Sequence, residues 1–386
     1  MGHWPKVRLS ECLQLINDTV PVQRDQEYPN FGIYSYARGL FRKRPIIGLE
    51  SSATTLRRVR KGQFIYSRLF AFEGAYGIVG DEFDGFFVSN EYPTFICDEA
   101  RLMPHYLLAY FSMKRVWEAV AKGSKGLGVR RQRVQPEEIL ANEIPLAPIH
   151  VQRSIVSRLE TVVAKARAVV DRLDAIEADA ERLLAIRFRE SMARADWRAM
   201  GEVAPVVRRD VEIEPEQSYT ELGVRSFYKG TFHRRTLPGS EFRWQKLFWV
   251  YRGDLIFSNI MAWEQAIAIA KPADHGCVGN HRMLTCLPSP DITTSDYLWY
   301  YFTTQEGFAS IAAASPGTAA RNKTLTSDSL MAIRVPVPLL STQLSFNALQ
   351  SKVAMMKAKH TSIRKDLDAL LPTMLERVFH SERCSP

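Results

Sequence analysis

The sequence predicts a mixed α+β fold (α/β in content) built twice: two tandem globular domains, each followed by a long helix, with the two helices pairing as a coiled coil. Three observations predict it. The stretch "IPLAPIHVQ" at residues 144–152 has an echo, "VPVPLLSTQ", at residues 335–343. Identities on either side of the echo recur at one fixed separation. Each echo opens an unbroken helical pattern.

The separation is 191 residues: Gly32 matches Gly223, Ser35 Ser226, Gly39 Gly230, Phe41 Phe232, Gly62 Gly253 and Ser67 Ser258. Further along, Tyr106 matches Tyr297, Gly126 Gly317, Arg130 Arg321, Pro145 Pro336 and Gln152 Gln343. Near Cys97 and Cys286 the separation is 189, so small insertions lie between. Chance supplies scattered identities, not a constant offset held over more than a hundred residues. A period this long is a duplicated domain rather than a solenoid.

The boundaries that follow are 1–145 for the first globular domain, 146–195 for the first helical region, 196–336 for the second domain and 337–386 for the second helical region. A chain of 386 residues is long enough for several separate cores. Its 46% apolar and 24% charged residues are those of an ordinary soluble protein, and no apolar run approaches a membrane span. The start, "MGHWPKVRLS", lacks the apolar centre of a signal peptide. Cys12, Cys97, Cys277, Cys286 and Cys384 form an odd, scattered set, which argues for reduced thiols and a cytoplasmic protein.

In the first globular domain, "QFIYSRLF" reads as a strand after the turn at Gly62, and "PHYLLAYFSMKRVWEAVA" as helix. The second domain repeats the order with "DLIFSNI" after Gly253 and "SDYLWYYFTTQEGFASIAA". Strands before one or two helices make each an α/β or α+β unit.

The first helical region has apolar residues at Ile155, Leu159, Val162, Ala166, Val169, Leu173, Ile176, Ala180 and Leu183. Alternating steps of four and three describe a coiled-coil seam. Residues 150–193 contain no Gly or Pro, so the helix could run about 66 Å at 1.5 Å per residue, beyond the reach of one domain. The second region shows Leu349, Val353, Met356, His360, Ile363, Leu367, Leu370 and Met374 in the same rhythm. An amphipathic helix folded onto its own domain is the alternative. Two details break the symmetry: at the straight offset only alternate seam positions coincide, and Pro372 should kink or end the second helix near Leu371. His360 on the seam reads as a core histidine.

The net charge of +9 suits a polyanionic partner. Residues 196–336 balance acid against base, so that domain would have to bind through local clusters. Such clusters recur around glycine turns. The first copy reads "YSYARGLFRKR" at 34–44, with Arg38, Arg42, Lys43 and Arg44; the second reads "RSFYKGTFHRR" at 225–235, with Arg225, Lys229, His233, Arg234 and Arg235. Arg and Lys reach phosphates, and Arg can grip a guanine edge with two hydrogen bonds. Tyr36, Phe41, Phe227 and Tyr228, taken singly, read as packing for the turn. A second aligned pair, "GVRRQRV" at 128–134 and "AARNKTL" at 320–326, offers Arg130, Arg131 and Arg133 in one copy and Arg321, Asn322 and Lys323 in the other, with Arg131 changed to Asn322 and Arg133 to Thr324. A fixed frame with altered polar tips is what two readers of different DNA sequences would show.

Catalytic signatures are missing from this reading. There is no phosphate-binding loop, no Gly-x-Gly-x-x-Gly turn after a strand and no nucleophile elbow. His275, Cys277, His281 and Cys286 fall within twelve residues and could nominally hold zinc, but the first copy keeps only Cys97, so Cys97 and Cys286 read as equivalent core positions. No metal and no catalytic residue is expected. A lone DNA-processing enzyme, or a coiled-coil adaptor that does not touch DNA, are the competing readings.

The apolar-Pro-apolar segment, the Gln and the long helix, occurring twice, resemble the specificity subunit of type I restriction–modification systems. The ending "LLPTMLERVFHSE" is similar to that family's C-terminal helix, and Trp4 and Trp197 sit where its domains often open. The resemblance covers nearly the whole chain. It implies two target-recognition domains, each reading half of a bipartite double-stranded DNA target. It also implies an antiparallel coiled coil that holds them apart with pseudo-two-fold symmetry. The coil would dock two DNA adenine methyltransferase subunits, and translocating endonuclease subunits would join the complex. S-adenosylmethionine would sit on the methyltransferase, with no cofactor on this chain and no membrane contact.

Overall fold

The computed structural model describes residues 4–123, 133–242, 246–317 and 323–379. They fall into two compact units, 1–173 with 360–386, and 174–359. Each unit contains one globular part and one end of each long helix.

In the first unit, Lys6–Arg8 pairs antiparallel with Glu143–Pro145, zipping the entry of the globular part to its exit. A four-stranded antiparallel sheet runs in the order Tyr76–Ile78, Phe64–Tyr66, Thr94–Cys97, Leu13–Ile16. A three-stranded sheet runs Phe87–Val88, Thr55–Arg58, Thr19–Pro21. The strand Phe64–Tyr66 is buried at all three residues, which is why it reads as a solid apolar run rather than an alternating one. Its rings join Tyr76, Phe95 and Phe111 in an aromatic core. Val156 and Leu159, near the start of the first long helix, enter this core together with Leu375 and Phe379, near the end of the second. The two helix segments therefore run antiparallel in this unit.

The second unit repeats the construction. Asp196–Ala199 pairs with Arg334–Val337. Leu255–Ser258 lies between Ile267–Ile269 and Met283–Cys286. A second sheet orders Thr231–Pro238, Ser218–Val224, Cys277–Asn280 and Leu247–Val250, with one parallel contact between Ser218–Val224 and Cys277–Asn280. Here Leu184 and Phe188, late in the first long helix, share a core with Phe346 and Val353, early in the second. The paired antiparallel helices expected from the sequence are present in each unit. Cys97 and Cys286 are both buried on corresponding strands.

The seam departs from the expected one at four positions. The first long helix, Ile149–Met192, and the second, Leu340–Phe379, are both continuous. Buried or half-buried positions on the first run Leu159, Val162, Ala166, Val169, Leu173, then Glu177, Ala180, Leu184, Phe188 and Ser191. From Ala166 the steps become three, four, four, an eleven-residue period closer to 3.6 residues per turn than a strict heptad. Ile176 and Leu183, expected on the seam, are therefore turned outward at 48% and 42% exposed. On the second helix a step of four after the buried His360 brings Arg364, Leu367, Leu371 and Leu375 inward and leaves Ile363 and Leu370 exposed.

Pro372 does not end the helix. It is exposed, and the carbonyl four residues back that loses its donor belongs to exposed Asp368, where water can replace it. Leu375 and Phe379 anchor the turns beyond it. Arg115 pairs with Glu376 at 3.2 Å and donates to the Phe379 carbonyl at 3.4 Å, a cation placed where the last turn leaves its carbonyls open.

Candidate nucleic-acid interface

The two basic stretches fold into one kind of hairpin. In the first unit Phe31–Ile33 pairs with Leu40–Arg42; in the second, Ser218–Val224 pairs with Thr231–Pro238. Each turn is closed by one main-chain bond, Tyr34 N–H to Gly39 O and Arg225 N–H to Gly230 O, both 2.9 Å. Two consecutive non-glycine residues in each turn are left-handed, Tyr36 and Ala37 in one, Phe227 and Tyr228 in the other, with φ between +52° and +62°. Gly39 and Gly230 complete the reversal at φ +86° and +81°.

A left-handed side-chain-bearing residue costs about 1–2 kcal/mol, so two in a row need outside support. The Ser35 hydroxyl donates to Glu73 Oε2 at 3.0 Å, and the Tyr36 and Ala37 N–H groups donate to the carbonyls of Glu73 and Gly74. The second unit makes the same set from Ser226, Phe227 and Tyr228 to Glu264 and Gln265. The turn is thus a rigid platform. The expectation that its aromatic residues pack it holds for Phe41, stacked on Tyr34, and for Tyr228, whose hydroxyl donates to the Phe302 carbonyl. It fails for Tyr36 and Phe227, which are both 63% exposed.

Cations surround these tips. Arg38 lies over the rings of Tyr34 and Tyr36, and Lys229, at the matching position, lies over Phe227. Arg225 covers Phe232 at 4.8 Å and donates to the Thr231 carbonyl. At the end of the following strand Arg42 lies over Phe86 and bonds the Glu82 carbonyl; just beyond it Lys43 lies near the Phe41 and Tyr92 rings, and Arg44 is exposed.

The second unit differs in charge. Buried Glu221 accepts from Arg235 Nε at 2.9 Å and Arg234 at 3.4 Å, and His233 Nε2 lies 3.1 Å from buried Asp274. Position 30, the counterpart of Glu221, is asparagine. Among the described residues no carboxylate forms an ion pair with Arg42, Lys43 or Arg44, whereas the second cluster aims its arginines from a fixed anion.

The other predicted stretch is only partly visible. Arg130, Arg131, Arg321 and Asn322 lie outside the described residues. Their flanks dock alike, Val134 N–H on the Arg68 carbonyl and Leu325 N–H on the Asn259 carbonyl. Arg133 is paired with Glu91 at 3.1 Å, and Lys323 sits over Trp263 at 5.7 Å.

Among the described residues no group of three His, Cys, Asp or Glu could hold a metal ion. Cys277, buried, lies 3.7 Å from His233 Nε2, the same nitrogen that faces Asp274. A nucleophile relay needs the two partners on opposite ring nitrogens. Burial, reinforced by Asp274, also raises the thiol pKa, away from a reactive thiolate.

No protein-family model and no curated protein sequence matches the chain. Solved structures do. The HsdS subunit of Thermoanaerobacter tengcongensis superposes with a TM-score of 0.63 at 17% identity, covering 99% of this chain and 97% of that one. A chain from a structure describing complex assembly and conformational transition of the type I R-M system gives 0.69 at 17% identity, covering 99% and 98%. The fold is that of an HsdS subunit.

On this HsdS fold two further arginines escaped the sequence reading. Arg57 bonds the Ile16 carbonyl at 2.9 Å, and Arg208 bonds the Met283 carbonyl at 2.9 Å and stacks on Phe248 at 4.6 Å. Burial lowers both guanidinium pKa values, and Arg68 adds to the effect at Arg57. Their sequence neighbours are spoken for: Arg58 by Asp18, and Arg209 by buried Asp254 through two bonds of 2.7 and 3.1 Å. The signal was an Arg-Arg doublet in each copy. The repeat alignment hid it, because position 57 aligns with Phe248 rather than with Arg208.

Proposed function

We infer that this chain is the DNA-specificity subunit of a type I restriction–modification complex. Each globular part reads one half of a bipartite duplex target through its basic hairpin, and the helix pair sets the gap between the halves. The observation that carries the reading is the repeat itself: the HsdS fold presents the same braced, cation-rimmed turn twice while changing the polar residues around it. Two different half-sites follow from such a pair.

The chain has no catalytic role of its own in this reading. Two adenine methyltransferase subunits dock on it and bring S-adenosylmethionine, and translocating endonuclease subunits complete the cytoplasmic assembly. The outer faces of the helices support docking. Ile176, Leu183 and Ile186 on one helix, and Leu344 and Met355 on the other, are exposed apolar residues on helices already paired along another face. Among the described residues no helix is long and apolar enough to cross a membrane.

Co-expression with a methyltransferase encoded beside this chain, followed by genome-wide mapping of modified adenines, tests the proposal. A split motif with a fixed gap that disappears when this chain is omitted is the expected result. Methylation by the purified chain alone would overturn it.

A further inference from the structure

The tips of the two hairpins carry a feature that edge-reading arginines do not explain. At the outermost residue of each turn the chain places a large ring, Tyr36 or Phe227, in left-handed backbone and leaves it mostly in water. Glycine or asparagine would occupy the same backbone with less strain. Burial does not repay the strain, since the ring that packs inward is the next residue's, Tyr228 in one unit, and in the other that position is only Ala37. The turn beneath each ring is braced: Ser35 and Ser226 tie the turns to Glu73 and Glu264, and Trp117 meets the Tyr36 ring edge-on at 6.3 Å.

We propose that Tyr36 and Phe227 are stacking wedges that seat their rings against base faces at a step of the duplex, one in each half-site. The inference rests on the specificity-subunit reading and adds residues and a mode of contact to it. Two points fix the occupant as nucleic acid. Each ring has a cation over it or beside it, Arg38 and Lys229, two residues along. Each turn is followed closely by three consecutive basic or titratable residues, Arg42 to Arg44 and His233 to Arg235. A ligand with flat apolar faces and a dense row of negative charge meets both features. A phenyl ring has no hydrogen-bonding atom, so what the two tips share is a face for stacking, not a code for base edges. Rigidity suits the task, because a wedge must offset the cost of unstacking a step without being pushed aside.

The test uses the chain co-expressed with its methyltransferase, a random-sequence duplex pool, and the variants Tyr36→Gly, Phe227→Gly, Tyr36→Phe and Arg38→Gln. Glycine relieves the left-handed backbone, so the folded chain should keep its thermal midpoint. Affinity for the pool should fall about ten-fold or more for each glycine variant, while the slope of log affinity against log salt stays unchanged, because no charge is lost. Tyr36→Phe should match the parent. Arg38→Gln should instead flatten the slope by about one contact. Glycine variants that bind as tightly as the parent, or that lose stability in step with affinity, would sink the wedge and leave the specificity reading standing. A parent complex that binds no duplex at all would sink that reading instead.

Discussion

Gln152 Oε1 accepts the main-chain N–H of Met103 at 2.9 Å, while its Nε2 donates to the carbonyls of Arg101 and Ala147, each at 2.7 Å. Gln343 repeats the arrangement 191 residues later: Oε1 takes Thr294 N–H and the Thr293 hydroxyl, and Nε2 serves Ile292 and Pro338. Both glutamines are fully buried. The last letter of the echoed segment is the clamp that fixes each long helix to its own globular part.

Replacing Gln152 with Leu would take their partner from the Met103 N–H and from the Arg101 and Ala147 carbonyls, the last of them buried, at a cost of about 2–4 kcal/mol. Gln152→Glu should be worse than Leu, because a carboxylate would face two carbonyls in a dry site. Denaturant unfolding followed by tryptophan fluorescence gives the ranking. A Gln152→Leu chain as stable as the parent would show that the clamp is ornamental.

The asymmetry beneath the basic clusters makes a second prediction. Glu221→Gln removes the anion under Arg234 and Arg235, so the complex should bind random duplex more tightly at low salt, with a steeper salt dependence. Discrimination at one half-site should relax, since the guanidinium groups lose their fixed aim. Asn30→Glu in the other unit should act in the opposite direction. Binding isotherms at several salt concentrations, with the modified motif mapped in parallel, decide it; an unchanged motif with unchanged affinity would remove Glu221 from the interface.

Alkaline pH provides a third test. Burial, with Glu99 and Cys12 adding to it, pushes the Cys97 thiol up to about 12, and burial pushes Tyr297 up to about 12 as well. Both groups stay protonated in the fold to a higher pH than in the unfolded chain, where they ionise near their ordinary values. Their contribution to stability is therefore complete below about pH 8.5 and is lost as pH rises toward 12. Native protein at pH 8 should resist alkylation at Cys97, with full labelling in urea, as peptide mass spectrometry can show. Rapid native labelling would contradict the burial.

How far the sequence could be read depended on the range of the interactions involved. The duplication, the starts of the two long helices and the glycine turns rest on spacing along the chain, and these were legible. The first half of the seam was legible too, because a heptad and a 3.6-residue helix stay in phase for a few turns. By Ile176 the accumulated drift has moved the stripe, and only the packing of Phe188 and Phe346 shows where it went. Pro372 reads as a stop on propensity alone, yet the tertiary anchors at Leu375 and Phe379 carry the helix past it. Glu221 under Arg235, and Arg57 beside Ile16, join residues 14 and 41 apart in sequence through sheet pairing, so no linear pattern announces them.

The corrected seam yields the last prediction. Within the second unit, Leu184 and Phe188 are 7% and 2% exposed, whereas Ile176 and Leu183 are 48% and 42% exposed. A strict heptad makes Leu183 the core residue and Leu184 its flank; the structure reverses them. Leu184→Lys should destabilise this unit by several kcal/mol, since it loses about 1.5–3 kcal/mol of apolar burial and forces a charge against Phe346 and Val353. Leu183→Lys should leave the unfolding transition within about 0.5 kcal/mol of the parent, as surface changes do. If the outward stripe docks the methyltransferase, the double variant Ile176→Lys with Leu183→Lys should remain folded and fail to co-purify with that partner. Circular dichroism separates the first effect from the second, and size-exclusion chromatography of the co-expressed proteins reads the docking. Equal destabilisation by Leu183→Lys and Leu184→Lys would restore the heptad seam, and a folded double variant that still co-purifies would place the docking surface elsewhere.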